Sequence, residues 1–298
     1  MTKLQSRNSF RHGDSIGIGV IISNVGTPTA PTPSSVRKFL KEFLSDPRVV
    51  ELPKWLWWPI LRGIILNVRP RKSALAYKQI WTDQGSPLLV ETNNLCTEIT
   101  MRLQKLGLAN IKVLSAMRYG KPSLKSAVET LVNQNVRNFL IMPLFPQYAS
   151  ATTGSTIAQF FEICKPMRWI PEIRVINSYH DDPRYIRALA ESIRAHQQKM
   201  GTGEKILFSF HGIPRDTFLA GDPYYCECQT TARLVAHDLK LDEGAWKVSF
   251  QSRVGPKKWL EPYTEEVLRT WAETGVKKID VISPGFAVDC LETLEEIA

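Results

Sequence analysis

The chain has no uninterrupted apolar stretch of the roughly 18 residues that a membrane-spanning helix needs. Cysteine is scarce and scattered. Five thiols, at 96, 164, 226, 228 and 290, are an odd number at wide spacing, which implies no disulfide framework and points to a reducing, cytoplasmic setting. Only Cys226 and Cys228 lie close together. They lack partners at zinc-finger spacing, so the pair reads as structural. Residues 1–14 are polar, carry Lys3, Arg7 and Arg11, and have no apolar core of the kind a signal peptide needs; they read as a disordered lead. Several familiar motifs are missing too. No Gly-x-Ser-x-Gly elbow supplies a serine nucleophile. No Gly-x₄-Gly-Lys-Ser/Thr loop is present for phosphates, and no Gly-x-Gly-x-x-Gly follows a strand, since Gly17 and Gly19 fall inside the first one. Repeats and low-complexity tracts are absent.

Positive charge and tryptophan, by contrast, are abundant. Lys and Arg number 38 against 29 Asp and Glu, a formal charge of +9, which favours anionic partners without choosing among them. No nucleic-acid-binding motif accompanies the charge, so nucleic acid is set aside. Three of the eight tryptophans, Trp55, Trp57 and Trp58, open the segment 54–71, KWLWWPILRGIILNVRPR. As a helix it is apolar nearly all round, so it must bury against something. It suits a core helix, a lip over an apolar ligand, or a shallow membrane anchor with cationic flanks at Arg62, Arg69 and Arg71.

Elsewhere, short β-branched runs alternate with amphipathic stretches. Strands are expected at 16–24, 111–117, 138–144, 173–178, 205–210, 247–251 and 278–282. Helices are expected at 33–44, 92–106, 122–134, 183–200, 225–239 and 262–274. The first opens with Thr32 as N-cap and Pro33 at the first helical position. This alternation is the mark of a parallel α/β fold. Two α/β halves follow, with a seam near Asp181, Asp182 and Pro183; one continuous sheet is the alternative.

In such sheets ligands bind at the carboxyl ends of the strands. The fifth strand ends in Phe208-Ser209-Phe210-His211-Gly212-Ile213-Pro214, which sets an imidazole at the end of a buried run. On spacing alone, a hydrogen-bonded turn residue accounts for His211 somewhat better than a functional role. After the seventh strand come Asp289, Glu292 and Glu296. Asp289 and Glu292 fit a capping box, the stronger reading from local physics. Glu292 and Glu296, four apart, would share a helix face and could bind a cation or pass protons. A His and a carboxylate at two strand ends of one half suit a borderline divalent metal, or a general base with its orienting partner.

At these residues the chain resembles the ferrochelatase family, over residues 18–298. The matching stretches are NVGTP (24–28), FLKEFLSDPRVVE (39–51), YKQIWTDQGSPL (77–88), AMRYG (116–120), PLFPQYASATTGS (143–155), FSFHGIP (208–214), GDPYY (221–225), FQSRVG (250–255) and SPGFAVDCLETLEE (283–296). The resemblance implies two Rossmann-like, chelatase-type domains, 15–180 and 181–298, with parallel sheets flanked by helices and a porphyrin cleft between them. It implies insertion of Fe²⁺ into protoporphyrin IX to form protohaem, the last step of haem biosynthesis. His211 and Glu292 would be the metal and catalytic residues, Glu296 would lie on a proton or metal path, and Arg69, Tyr77 and Ser86 would contact porphyrin. Protoporphyrin IX and ferrous iron are then the partners, with no tightly bound cofactor. Some relatives hold an iron–sulfur cluster on one internal and several C-terminal cysteines. Residues 147–155 contain no Cys and no cysteine-rich tail follows, so no cluster is expected. Family members usually continue for another helix and strand, so the second domain reads as truncated at Ala298. A chelatase for coproporphyrin, or for cobalt or nickel, is one alternative. A non-catalytic porphyrin or haem carrier is another, although carriage needs no proton acceptor. The apolar lip at 54–71 would allow peripheral contact with the inner membrane.

Overall fold

The computed structural model describes Gly13, residues 15–255 and residues 257–297. Apart from Gly13, the lead expected at 1–14 lies outside the described residues. Among the described residues seven strands form: β1 (Gly17–Thr27), β2 (Ile111–Gly120), β3 (Val136–Pro143), β4 (Glu172–Val175), β5 (Lys205–His211), β6 (Trp246–Gln251) and β7 (Ile279–Ile282). Each lies within a few residues of its expected place. The helices are α1 (Pro33–Phe43), α2 (Lys54–Ile60), α3 (Leu66–Ile80), α4 (Pro87–Lys105), α5 (Leu124–Asn133), α6 (Ser155–Cys164), α7 (Pro183–Met200), α8 (Arg215–Leu219), α9 (Tyr224–Asp238), α10 (Thr264–Glu273) and α11 (Leu291–Leu294).

The strands make two sheets, ordered β2-β1-β3-β4 and β6-β5-β7, and every pairing in them is parallel. The α/β class with parallel sheets is therefore as expected. The chain divides into two compact units. The first comprises residues up to Leu144, Ser150–Asn177 and Val288–Leu291; the second comprises Phe145–Ala149, Ser178–Ala287 and the residues from Glu292 on.

Each sheet is covered on both faces because side chains alternate along a strand. In β1, Ile21 packs with Ala116, Leu131, Phe139 and Phe160, whereas its neighbours Val20 and Ile22 pack with Cys96 and Leu144. The first set meets α5 and α6 and the second meets α4. In β5, Ile206, Phe208 and Phe210 pack against α7 and α9 through Ile193, Ala190, Ala232 and Val235. The intervening Leu207 and Ser209 are equally buried on the other face, where Ser209 Oγ meets Thr264 Oγ1 of α10 at 2.8 Å.

Three helical expectations need correction. The expected 92–106 helix begins at Pro87, with Ser86 in the N-cap position and Pro at the first helical position. That is the Thr32–Pro33 signal over again. Helix α6 was not expected at all, because its small polar start, Ser155 and Thr156, carries no apolar period. The 54–71 segment is neither one helix nor buried all round. A π-helical turn at Leu61–Ile65 separates α2 from α3. Leu61 and Leu66 turn into the core, while Trp55 (78% exposed), Ile64 and Val68 face solvent.

One buried charge anchors the first unit. Asp46 accepts hydrogen bonds from Ser155 Oγ at 2.6 Å, Tyr119 Oη at 2.8 Å and the Arg48 N–H at 2.8 Å, and it pairs with Arg118. Burial alone would raise its carboxyl, but Ser155, Arg48, Tyr119 and the Arg118 charge together outweigh that and hold it below the ordinary value. Asp46→Asn leaves Arg118 buried without its counter-charge and should cost about 3 kcal/mol, read from urea midpoints at neutral pH. A depressed carboxyl stabilises above its unfolded pKa and stops doing so as pH falls through the folded one. The difference between variant and wild type should therefore shrink in acid.

Candidate functional site

The order β6-β5-β7 places a switch point beside β5. From β5 the chain crosses to β6 on one side, then returns past β5 to β7 on the other. Crevices for ligands open at the carboxyl ends of strands where the winding reverses in this way. His211 is the last residue of β5, and the loop 283–290 leaves the end of β7.

His211 follows Leu207 and Ser209 on one face of the sheet and is half-buried. Its Nδ1 lies 2.6 Å from the Gly212 carbonyl oxygen. A carbonyl can only accept, so Nδ1 carries a proton, and in the neutral ring the lone pair then lies on Nε2. The rings of Trp259 and Phe286 flank the imidazole, with centroids at 6.4 and 6.5 Å. Gly212 donates its N–H to the Gln251 carbonyl at 2.8 Å. A Cβ on Gly212 would come within 3.0 Å of that carbonyl and 3.1 Å of the Trp259 ring. A larger residue here would press the turn away from β6 by a few tenths of an ångström.

Glu292 is half-buried in the first turn of α11. The capping reading does not hold in the form expected. The helix starts at Leu291, two residues beyond Asp289, and ends at Leu294, so Glu296 sits past its end rather than on its face. The acidic pair is nonetheless coupled. Glu296 accepts a hydrogen bond from Ser252 Oγ. Although much of the residue is open to solvent, surrounding protein raises its carboxyl above the ordinary value. The Ser252 hydrogen bond opposes that, the Glu292 charge adds to it, and His211 opposes it when its ring is charged. His211, Glu292 and Glu296 therefore share one electrostatic neighbourhood.

Sequence reasoning missed Gln251. This buried residue is the register partner of His211 across β5 and β6, and its Nε2 donates to the Glu292 carbonyl at 3.0 Å. The signal was available: Gln251 is a polar residue ending an apolar strand, as His211 is.

Arg69, Tyr77 and Ser86 lie in the first unit. Arg69 is half-buried on α3. Tyr77, also on α3, sits in the core against Trp81, with ring centroids 6.2 Å apart. Ser86 is buried and accepts from Thr27 Oγ1 at 2.8 Å. Cys226 is exposed and Cys228 buried, so the pair faces apart. Glu227 between them accepts from the Tyr148 N–H at 2.7 Å and lies 3.3 Å from His180. Among the described residues, no group of three or more His, Cys, Asp or Glu side chains could hold a metal ion, and no helix is long and apolar enough to cross a membrane.

Comparison with known proteins gives a family model described as Ferrochelatase, matched over residues 17–298. A ferrochelatase from Nitrosococcus oceani is 50% identical over 98% of this chain and 79% of its own length. Another, from Thioalkalivibrio sulfidiphilus, is 48% identical over 99% of this chain and 80% of its own. A solved structure titled "SirB from Bacillus subtilis with Fe3+" covers 90% of this chain and 76% of its own at TM-score 0.47 and 8% identity, a likeness that bears on neither activity nor site.

The turn at Gly212 gives a direct test of the His211 tautomer. Long-range ¹H–¹⁵N spectra of the wild type should show His211 protonated at Nδ1. Gly212→Ala should shift that signal and destabilise the fold by about 1–3 kcal/mol, the usual cost of overpacking. An unmoved His211 signal would contradict the geometry described.

Proposed function

The chain belongs to the ferrochelatase family, and from that premise we propose that His211 and Glu292 are where it places Fe²⁺ into protoporphyrin IX to form protohaem. That the protein is an enzyme of metal insertion into a porphyrin, acting in haem synthesis, follows from the family itself. The residue roles and the choice of porphyrin are our reading. The observation that carries it is the contact of His211 Nδ1 with the Gly212 carbonyl: with Nδ1 engaged there, Nε2 is the nitrogen left to take a pyrrole proton or to ligate iron.

Insertion requires the macrocycle to lose two pyrrole protons and gain one divalent ion. A neutral imidazole and a carboxylate meet both needs, since each binds a proton or a borderline metal. Two side-chain ligands are fewer than the four of a resident structural site, which suits an ion that passes through. Porphyrin nitrogens would supply the rest. Glu296, with its raised carboxyl and its access to solvent, is suited to carry protons out or metal in. Arg69 is the cation we assign to a porphyrin propionate, with Tyr77 and Ser86 shaping the wall near it. No resident cofactor is assigned.

Trp55, Ile64 and Val68 leave an apolar surface on α2, the π turn and α3. That surface favours protoporphyrin, whose vinyl edges are apolar, over the more carboxylated coproporphyrin. With Arg62, Arg69 and Arg71 beside it, the same surface supports peripheral contact with anionic lipid, and with it a place at the cytoplasmic face of the inner membrane.

His211→Ala should abolish insertion while protoporphyrin binding, followed by fluorescence quenching, stays near normal; near-normal turnover would sink the assignment. Anaerobic steady-state assays of the wild type with Fe²⁺ should give higher kcat/KM for protoporphyrin than for coproporphyrin. The reverse order would transfer the substrate assignment to coproporphyrin, and no turnover with either would favour a carrier. In flotation with anionic liposomes, Trp55→Gln combined with Val68→Gln should release the protein from vesicles. Equal flotation of the two forms, or none by the wild type, would count against membrane contact by this surface.

A further inference from the structure

We propose that Gln251 is a positioning residue for metal insertion, holding the His211 turn with its backbone and the Glu292 segment with its side chain. The inference rests on the assignment of His211 and Glu292 to the reacting centre. It goes beyond that assignment by saying what fixes their mutual placement.

The connections are continuous. His211 Nδ1–H donates to the Gly212 carbonyl at 2.6 Å, Gly212 N–H donates to the Gln251 carbonyl at 2.8 Å, and Gln251 Nε2 donates to the Glu292 carbonyl at 3.0 Å. The amide cannot turn freely. Its Oε1 accepts from Ser209 Oγ at 2.6 Å, which uses the one proton Ser209 has. Thr264 must then donate to Ser209 (2.8 Å), and Ser249 to Thr264 (2.9 Å). The result is a one-way row of buried hydroxyls ending on Oε1, with the other end of the amide aimed at Glu292. Such rows strengthen each member by polarisation.

Glu292 needs an external hold. A four-residue helix is far below the length at which a helix sustains itself, so α11 cannot fix its own carboxylate. The next residue of β6 supplies a second tie. Ser252 has a left-handed backbone, φ +65°, unusual for a residue with a Cβ, and its hydroxyl reaches Glu296. The end of β6 thus grips the acidic segment at two points four residues apart. A reaction that moves protons and a metal between fixed groups loses rate steeply when one is displaced.

Gln251→Met keeps the length of the side chain and removes both of its hydrogen bonds. We expect kcat to fall at least about tenfold, the equivalent of one lost hydrogen bond, with porphyrin binding unchanged. A loss confined to kcat, with KM for porphyrin unchanged, is the readout that a merely structural role would not give. His211→Ala and Glu292→Ala belong in the same series. If they retain turnover, the site assignment fails. If they are inactive while Gln251→Met keeps wild-type kcat, the positioning role fails alone. Should Gln251→Met not fold, Ser209→Ala, which frees the amide to rotate, should lower kcat about threefold; an unchanged kcat there would overturn the proposal.

Discussion

Parallel pairing constrains this protein more than any single contact. A parallel strand cannot be joined to its neighbour by a tight turn; each must be left by a crossover, and here the crossovers carry helices over both faces of both sheets. Strand interiors are consequently buried on both sides, as residues 206–210 of β5 show, and a polar side chain there, such as Ser209, must find its partners inside. Polar groups open to a ligand are left to the strand ends. His211 stands at such an end, Gln251 at the end of the neighbouring strand, and Glu292 beyond the loop that leaves β7.

The two units share a winding and use it differently. In each, the first strand lies between the second and the third, as β2-β1-β3 and β6-β5-β7. The polar groups at the end of β1 are absorbed internally: Asn24 donates to Thr92 at 3.3 Å, Thr27 donates to Ser86, and Asp46 gathers Arg118, Tyr119 and Ser155. At the corresponding end of β5, His211 turns its Nδ1 to the Gly212 carbonyl and leaves its Nε2 edge for other chemistry. The same topology thus yields a strand end with its polar groups paired in one unit and a strand end carrying a half-buried imidazole in the other. The difference lies in whether neighbouring side chains use up the donors and acceptors.

Strands were legible in the sequence because a doubly covered strand is a short apolar run, and nothing else of that length imitates it in a chain with so clear an alternation. His211 was legible for the same reason, as a polar break at the end of a run. Helix α6 was hidden because its first turn is small and polar. Segment 54–71 misled because apolarity was equated with burial, whereas Trp55 and Val68 stand in solvent. Glu292 was read through a capping pattern that matches the spacing but not the backbone: the chain does not enter a helix until Leu291. The role proposed for it rests on the family motifs rather than on local physics.

The strength of the site then depends on β6. On the proposed reading, a site that must both accept a metal and give it up cannot bind it with a full set of fixed ligands. Rigid placement of a few ligands resolves that conflict, since precision raises rate without raising affinity for the ground state. The buried row from Ser249 through Thr264 and Ser209 to Gln251 supplies rigidity from the sheet, where every hydroxyl has a partner. The left-handed turn at Ser252 redirects the chain just where Glu296 is reached. Non-glycine residues persist in such conformations when surrounding contacts over-determine them. At the end of β6 those contacts are the ones that hold the acidic segment, so the strained turn and the placement of Glu292 depend on each other.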